Sequence, residues 1–242
     1  MITLSAVIIT KNAEKALEET LKSLSFAGEI VVVDENSTDK TIDIAMKYTD
    51  KIITTSERSF AKKRNLALKA CQADWIFYVD SDEVVTKALK EEISGVIENN
   101  DEGIYTVRRE NYFLGTKMYP DQVERLFWRE NLRGWSGEIH ESPITTGNCY
   151  TLANPLIHHS HRDITSMLEK TNEWSEIEAD LRMKAKHPPM AWWRLIRVAL
   201  TEGWHQFGKI KVGRYGRAGL FEGCFQVIDK LTVYIKLWER QH

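Results

Sequence analysis

The sequence has few cysteines and no long apolar run. Its three cysteines, Cys71, Cys149 and Cys224, lie far apart without CxxC spacing. This argues against a disulfide framework and a thiolate zinc site, and it fits a reducing compartment. No stretch reaches the roughly 18 uncharged apolar residues of a membrane-spanning helix, and the first residues lack the features of an export signal. We therefore expect a cytoplasmic chain that does not cross a bilayer as a simple span.

The sequence also lacks a strong net charge. Its 33 Lys and Arg residues nearly balance 35 Asp and Glu residues, for a formal charge of −2, which disfavours nucleic acid as a partner. Hydrophobic residues make up 43% and charged residues 28% of the 242 positions. This composition excludes a disordered or collagen-like chain and allows one large domain, or one domain with an appendage.

The last fifth of the chain differs in composition from the rest. Residues 190–242 carry nine Lys or Arg, four Asp or Glu, and four of the eight tryptophans. Trp192–Leu200 is amphipathic and basic, and further basic and aromatic residues follow it. This pattern predicts contact with an anionic membrane surface, because tryptophan favours the bilayer interface and basic side chains favour anionic headgroups. Packing against the rest of the chain or another subunit is the alternative.

The first hundred residues alternate between short apolar runs and segments of helical spacing. The alternation predicts a parallel sheet covered by helices, which binds ligands at the carboxyl ends of its strands. The predicted strands are Ala6–Ile9, Glu29–Asp34, Lys51–Ile53 and Trp75–Asp80, and the predicted helices begin near Leu17, Ser37, Phe60 and Thr86. Further on, we predict strands at Tyr105–Arg109 and Val123–Arg129, a loop at Gly134–Gly137, and a helix from Ile164 to about Lys186.

Three carboxylates stand within four residues at the end of the fourth predicted strand. Asp80, Asp82 and Glu83 repel one another, and a cation or solvent must offset this repulsion. Oxygen ligands suit Mg²⁺ or Mn²⁺, and Mg²⁺ typically combines one or two carboxylates with substrate phosphates. The alternative is a solvated helix start capped by Ser81 or a neighbouring aspartate. Asp34 leaves a similar choice between capping a turn and accepting a hydrogen bond from a nucleobase.

The order and spacing of these motifs resemble family 2 glycosyltransferases. The resemblance runs from about residue 2 to the C-terminus, and its later motifs are similar to the branch that adds sugars to the lipopolysaccharide core, including β-glucosyltransferases. The motifs that carry it are Thr10–Asn12, Asp34–Thr41, Arg64-Asn65, Trp75–Glu83, Arg125–Phe127, Trp135–Glu141, Leu156–His158 and Arg162-Asp163.

The resemblance implies a GT-A-type α/β fold with a doubly wound, mostly parallel sheet that binds a nucleotide-sugar. It implies a catalytic domain over 1–163, with a nucleotide-sugar half at 1–104 and an acceptor half at 105–163, and a helical C-terminal region over 164–242. The implied donor-binding residues are Thr10, Asn12, Asp34, Asn36, Ser37, Arg64, Asp80 and Ser81. The implied acceptor-side residues are Glu83, Arg125, Trp135 and His140.

The resemblance also gives individual roles to several of these side chains. Asp34 would contact the uracil-type base, Asp80 the ribose region, and Arg64 the phosphates or the sugar. Where the family often has Gly-Ser after the first aspartate, this chain has Glu35-Asn36-Ser37, which leaves the base contacts open.

A divalent metal, Mg²⁺ or Mn²⁺, is the implied cofactor. Asp82 would bind the metal that bridges the diphosphate, and His158 would lie near it. The neighbouring His159 and His161 do not add the spacing of a closed zinc site.

The reaction also needs a base. Glu141 would take the proton of the attacking acceptor hydroxyl, with Glu138 and Glu83 as rivals for that role. Alternatively, Glu141 pairs with Arg125 or Arg133 and only holds its loop.

We therefore expect an inverting, metal-dependent glycosyltransferase on the inner face of the cytoplasmic membrane. By resemblance it moves a sugar from UDP-glucose to a lipopolysaccharide-core or related glycolipid. Two rivals remain open: a nucleotidyltransferase, which would release pyrophosphate, and a catalytically silent module that binds nucleotide-sugar or membrane. The sequence leaves the oligomeric state open.

Overall fold

The structure is a computed structural model that describes residues 4–137, 141–161 and 163–242. The chain divides into two compact units. The sheet unit comprises residues 1–110 and 120–158, and the helical unit comprises residues 111–119 and 159–242. The domain boundary placed after residue 163, and the division of the first domain at residue 104, stay predictions.

Strands and helices alternate through the first hundred residues, as the apolar periodicity predicts. The strands are β1 (Leu4–Thr10), β2 (Glu29–Asp34), β3 (Ile52–Thr54), β4 (Trp75–Asp80), β5 (Glu83–Val85), β6 (Ile104–Phe113), β7 (Thr116–Lys117), β8 (Asp121–Trp128), β9 (Leu132–Ser136), β10 (Ser142–Thr145) and β11 (Cys149–His161).

Three of the longer helices begin at side-chain caps that the sequence contains. Ser59, Thr86 and Asp163 each accept a hydrogen bond from a backbone N–H three residues later, which satisfies a donor that has no partner inside the helix. The helices are α1 (Leu17–Ser23), α2 (Thr41–Ala45), α3 (Phe60–Ala70), α4 (Lys87–Asn99), α5 (Ile164–Lys184), α6 (Trp192–Gly203) and α7 (Gly216–Gln241). A π-helical segment, Trp204–Ile210, follows α6.

Nine strands of the described chain form one sheet, in the order β3-β2-β1-β4-β8-β6-β11-β5, with β7 beside β6. The pairs of β1 with β2 and β4, and of β2 with β3, are parallel. Antiparallel pairs of β4 with β8 and of β6 with β8 extend the sheet. The chain winds outward from β1 to β3 and then returns to place β4 on the other side of β1. The predicted doubly wound α/β sheet is confirmed, with its switch point beside β1.

The central strands are apolar on both faces, because helices cover both sides of the sheet. Alternate residues of β1 enter different cores: Ala6 and Ile8 pack in the core that contains Leu17 and Leu89, and Val7 packs in the other. This division explains why these strands read as continuous apolar runs rather than as alternating patterns.

The helical unit has smaller apolar clusters. Phe113, Met118 and Met167 form one, and Ala179, Met190 and Leu237 form another, against which Leu195 and Tyr234 pack. Within the described residues, no helix combines the length and the apolarity that a bilayer crossing requires.

Three local predictions were wrong. Gly134–Gly137 was expected as a loop, but Leu132–Ser136 is β9, because it pairs with β10 and because the Asn65 side chain makes two hydrogen bonds of 2.9 Å to the backbone of Trp135. Glu83 does not lie in a helix start: Glu83–Val85 pairs with β11 as strand β5, and the helix begins after Thr86. The resemblance placed His158 just after the last core strand, but His158 lies within β11.

A buried carboxylate joins several segments at the amino end of β2. Glu29 is only 7% exposed, and it accepts hydrogen bonds from Ser5 Oγ, from Lys51 Nζ and, at 2.7 Å, from the N–H of Gln72. Burial alone raises the pKa of Glu29, but the bonds from Lys51, Ser5 and Gln72 outweigh it and hold that pKa below its ordinary value.

Glu29→Gln should lower the free energy of unfolding by about 1–3 kcal/mol at pH 7, because it leaves buried donors poorly paired. Because the pKa of Glu29 is lower in the folded protein, its ionised form stabilises the fold at pH values above the unfolded-state pKa of 4.5. This contribution is lost as the pH falls through the folded-state pKa. Urea unfolding at pH 7 and pH 3 should therefore show a difference that shrinks in acid. Glu18→Gln, in an exposed pair with Lys22, is the control. An equal difference at both pH values would contradict this account.

Candidate active site

Three predicted donor-site residues end neighbouring parallel strands. Thr10 ends β1 beside Asp34 at the end of β2, and Asp80 ends β4 beside Ile9. Thr10 Oγ1 is buried, with no hydrogen-bond partner among the described residues. These carboxyl ends lie at one edge of the sheet, at the switch point where such sheets bind ligands.

The loops after β1 and β2 are fixed to each other by side-chain hydrogen bonds. Ser37 donates its N–H, at 2.8 Å, and its hydroxyl, at 2.5 Å, to the carboxylate of Asp34. The N–H of Asn12 donates to Ser37 Oγ at 2.8 Å, and Asn12 Oδ1 accepts the N–H of Thr38 at 2.9 Å. Asn12 and Asn36 both have positive φ, 46° and 48°, which asparagine tolerates better than most residues.

The predicted residues Thr10, Asn12, Asp34, Asn36 and Ser37 are thus brought together. Asp34 is fully buried, and its carboxylate faces Ser37. Its contact with a nucleobase stays a prediction.

Glu35 replaces the small residue that the resemblance leads us to expect, and two lysines neutralise it. Its carboxylate lies 2.9 Å from Lys11 Nζ and 2.5 Å from Lys63 Nζ. Lys63 is almost fully buried and lies 4.1 Å from the ring centre of Phe60. The additional carboxylate therefore allows a lysine to be buried beneath the predicted donor edge.

Asp80 is held between arginines. Its Oδ1 accepts a hydrogen bond from Arg64 Nη2 at 3.1 Å, and its Oδ2 accepts one from Arg125 Nη2 at 2.5 Å. Burial raises the pKa of Asp80, but the charges of Arg125, Arg64 and Arg109 outweigh this effect and hold the pKa well below its usual range. The side chain remains 32% exposed, so the edge of the sheet presents a carboxylate that is ionised at neutral pH.

A second layer of charges lies beneath Asp80. Glu83 is fully buried; its Oε2 accepts the N–H of Asp80 at 2.8 Å, and its Oε1 accepts from Arg125 at 2.6 Å and Arg109 at 3.2 Å. Burial lowers the pKa of Arg125, but Asp80 and Glu83 outweigh it, so that this pKa lies above its ordinary value. Glu83 and Arg125, predicted on the acceptor side, fix Asp80 from below, and their roles toward an acceptor stay predictions.

Arg64 connects Asp80 to Glu141. Its Nε donates to Glu141 Oε1 at 3.0 Å, and its guanidinium lies 4.7 Å from the ring centre of Trp135 and 5.3 Å from that of Tyr78. The described partner of Glu141 is therefore Arg64, and neither Arg125 nor Arg133 takes that place. Trp135 is buried beside the guanidinium, and its acceptor-side role stays a prediction. His140 and the rival base Glu138 lie outside the described residues.

Asp82 and His158 form the pair that suits a metal. Asp82 Oδ1 lies 3.6 Å from His158 Nε2, and both side chains are mostly buried. The pairing of β5 with β11 sets His158 opposite Glu83, next to the turn that contains Ser81 and Asp82. Carboxylate oxygen and imidazole nitrogen are compatible with Mn²⁺, and carboxylate oxygen with Mg²⁺. The described residues contain no group of three or more such donors, so a bound cation here would need ligand oxygens from a substrate.

Sequence reasoning did not identify Arg109, Asp121 or Lys63. Arg109 donates to Asp121 at 3.0 and 2.5 Å and to Glu83 at 3.2 Å. A signal for it existed: Tyr105, Val107 and Arg109 share one face of β6, and the first two are buried. A charged side chain on a buried face requires a charged partner.

With this geometry in place, comparison with known proteins decides the family. Residues 5–153 match the sequence profile of glycosyl transferase family 2. The chain belongs to that family. Its members are glycosyltransferases, so the enzyme class predicted from the sequence is confirmed.

Relatives and solved structures agree with membership of glycosyl transferase family 2. The chain is 27% identical over 253 residues to the lipopolysaccharide core biosynthesis glycosyltransferase LpsC of Rhizobium meliloti, covering 98% of this chain and 92% of the relative. An uncharacterized glycosyltransferase of Rickettsia bellii is 27% identical, with 88% of this chain and 77% of that protein covered.

Among solved structures, residues 1–349 of Staphylococcus aureus TarS with UDP-GlcNAc align at a TM-score of 0.52 and 16% identity, covering 99% of this chain and 92% of that one. This likeness confirms the GT-A-type fold.

Arg125→Met should destabilise the fold by about 3–5 kcal/mol, because it leaves Glu83 buried and poorly compensated. Urea unfolding at pH 7 measures the effect. Arg108→Met removes an arginine that is 48% exposed and should change stability by less than about 1 kcal/mol. Equal, small effects of both substitutions would mean that the charges around Asp80 do not hold this edge together.

Proposed function

We propose that this family 2 glycosyltransferase transfers glucose from UDP-glucose to a hydroxyl of a lipopolysaccharide-core or related glycolipid, with inversion at the anomeric carbon. The observation that carries the proposal is the connection of Asp80 to Glu141 through Arg64. Asp80, a carboxylate suited to donor binding, and Glu141, a carboxylate suited to proton transfer, both contact the guanidinium of Arg64. The acceptor class is supported by the similarity to LpsC, a lipopolysaccharide core biosynthesis glycosyltransferase, and the donor class by the UDP-GlcNAc bound to TarS.

The nucleotide would occupy the edge formed by the ends of β1, β2 and β4. Asn12 and Ser37 fix the loops there, and Asp80 offers an ionised acceptor for sugar or ribose hydroxyls. A carboxylate accepts hydrogen bonds from hydroxyls more strongly than a neutral group does, so Asp80 suits the ribose side of a nucleotide-sugar.

Asp82 and His158 would hold the divalent cation together with the donor diphosphate. When bound, such a cation neutralises the negative charge that develops on the leaving nucleoside diphosphate. The two side chains contribute one oxygen and one nitrogen separated by 3.6 Å, which leaves the other coordination positions to phosphate oxygens and water.

Glu141 would act as the base. Its Oε1 accepts from Arg64, while its Oε2 accepts no hydrogen bond from the described residues and can receive the proton of the acceptor hydroxyl. As the acceptor hydroxyl oxygen bonds to the anomeric carbon from the face opposite the leaving group, the bond from that carbon to the diphosphate oxygen breaks. The proton moves to Glu141 and the electron pair leaves with the diphosphate. Arg64 keeps the carboxylate in place during this step.

A glycolipid acceptor would bring the enzyme to a membrane surface, and we propose the inner face of the cytoplasmic membrane, where nucleotide-sugars are available. A nucleotidyltransferase would instead release pyrophosphate, which a product assay distinguishes from UDP.

Calorimetry with UDP, GDP and CDP, each with Mn²⁺, Mg²⁺ or EDTA, tests the donor class. We expect UDP to bind in the presence of metal, and Asp82→Ala to weaken this binding at least tenfold. Asp43→Ala, at an exposed carboxylate of α2, should leave it unchanged. If no nucleoside diphosphate binds under any condition, the proposed function is wrong.

Glu141→Gln tests the base. Loss of a positioned general base typically costs about 10²- to 10⁴-fold in rate, so turnover with UDP-glucose and a glycolipid acceptor should fall by that factor while UDP affinity stays within twofold. Glu138→Gln is the matched comparison. Near wild-type turnover in Glu141→Gln, together with a large loss in Glu138→Gln, would transfer the role to Glu138.

A further inference from the structure

One face of α6 is apolar and open to solvent. Trp192, Ile196, Leu200 and Trp204 follow one another at four-residue intervals and therefore lie along one side of the helix. We call these four residues the α6 stripe: three lie in α6, and Trp204 begins the π-helical segment that continues it. Their exposed fractions are 74%, 52%, 69% and 68%. Contiguous exposure of several large apolar side chains is unusual in monomeric soluble proteins and marks an interaction site.

The stripe is not the face by which α6 packs in its own unit. Leu195 packs against the cluster of Ala179, Met190 and Leu237, and it lies beside the stripe but outside its four-residue spacing. The helical unit therefore partly buries Leu195 against its core, while each residue of the stripe keeps more than half of its surface exposed.

The apolar surface continues past the end of α6. Leu200, Trp204 and Phe207 line a shallow cleft together with Gly203 and Gly208, and the nearby helix α7 exposes Phe221 to 59%. Gly208 is required for this shape, because a Cβ at that position would lie 2.8 Å from the ring of Trp204.

Basic side chains accompany this surface. The segment from residue 191 to 217 contains one acidic residue, Glu202, and six basic ones: Arg194, Arg197, Lys209, Lys211, Arg214 and Arg217. The guanidinium groups of Arg194 and Arg197 lie 4.9 and 5.7 Å from the ring centre of Trp193, next to the first residue of the stripe. Cations and exposed tryptophans thus occupy the same segment.

We propose that the α6 stripe binds the surface of an anionic lipid bilayer, with α6 lying in the plane of the interface. Tryptophan is favoured at the boundary between headgroups and acyl chains, and basic residues are attracted to anionic headgroups. The 12 residues of α6 are too few to span a bilayer. A second copy of the chain fits less well, because it would bring a basic segment against an identical basic segment.

This inference deepens the proposed function by naming the surface that brings the enzyme to a lipid-linked acceptor. It rests on the proposed function only for that purpose, since the exposed stripe and the basic residues are present whatever the reaction is.

Co-sedimentation of the full chain with lipid vesicles is the test. The vesicles contain phosphatidylethanolamine with 30% phosphatidylglycerol, or phosphatidylcholine alone, at about 0.05 and 0.5 M salt, because salt screens the attraction to anionic headgroups. We expect binding to the anionic vesicles at low salt that is at least tenfold weaker with neutral vesicles or at high salt.

Variants locate the contact. Trp192→Ser with Leu200→Ser should reduce binding at least tenfold, and Lys209→Glu or Lys211→Glu should each reduce it about fivefold or more, as expected when a basic residue near the membrane is lost. Met46→Ser with Ile144→Ser removes two exposed apolar residues of the sheet unit and should leave binding unchanged. Circular dichroism checks that each variant is folded.

Three results would overturn the inference: no binding to anionic vesicles, equal binding by the stripe variant and wild type, or a dimer in analytical ultracentrifugation that the stripe substitutions dissociate.

UDP binding, measured by calorimetry on the same preparations, separates the two proposals. UDP binding without vesicle binding removes the membrane inference alone, whereas vesicle binding without UDP binding removes the proposed function alone.

Discussion

The candidate site depends on charged side chains that are removed from water and compensate one another around Asp80. Burying a charge is costly unless opposite charges and hydrogen bonds replace its water. Asp80 and Glu83 meet this condition through Arg64, Arg109 and Arg125. These residues come from β4, β5, α3, β6 and β8, so the network can form only when the sheet is complete. The geometry of the site is therefore a consequence of the fold rather than of one local motif.

The same network explains what the site can do. Its arginines hold Asp80 ionised at the edge where parallel sheets bind ligands. Through Arg64 the network also fixes Glu141, which lies 77 residues after Arg64 in the chain. Because electrostatic groups act best when they are positioned before the reaction begins, an enzyme that separates a sugar from a diphosphate gains from this rigidity. In the helical unit, by contrast, the α6 stripe is exposed and takes part in no comparable network of buried charges.

Much of the fold could be predicted from sequence because its signals are local. Continuous apolar runs such as Val31–Val33 mark strands buried on both faces, and Ser59 and Thr86 mark the starts of α3 and α4. The residues that end these strands were therefore identified. Strand β9 could not be predicted, since Gly134 and Gly137 favour a loop, while its extended backbone is fixed by pairing with β10 and by the distant Asn65. The burial of Glu83 could not be predicted either, because its partner Arg125 is 42 residues away in the sequence.

The central claim is that a nucleotide-sugar binds where β1, β2 and β4 end. Hydrogen exchange of the full chain, with and without UDP and Mn²⁺, tests it most directly, because a bound ligand slows exchange where it restricts local opening. The account predicts slower exchange at the backbone amides of residues 35–38 and 81–83, with no change along α6. Binding of UDP accompanied by protection only elsewhere in the chain would contradict it.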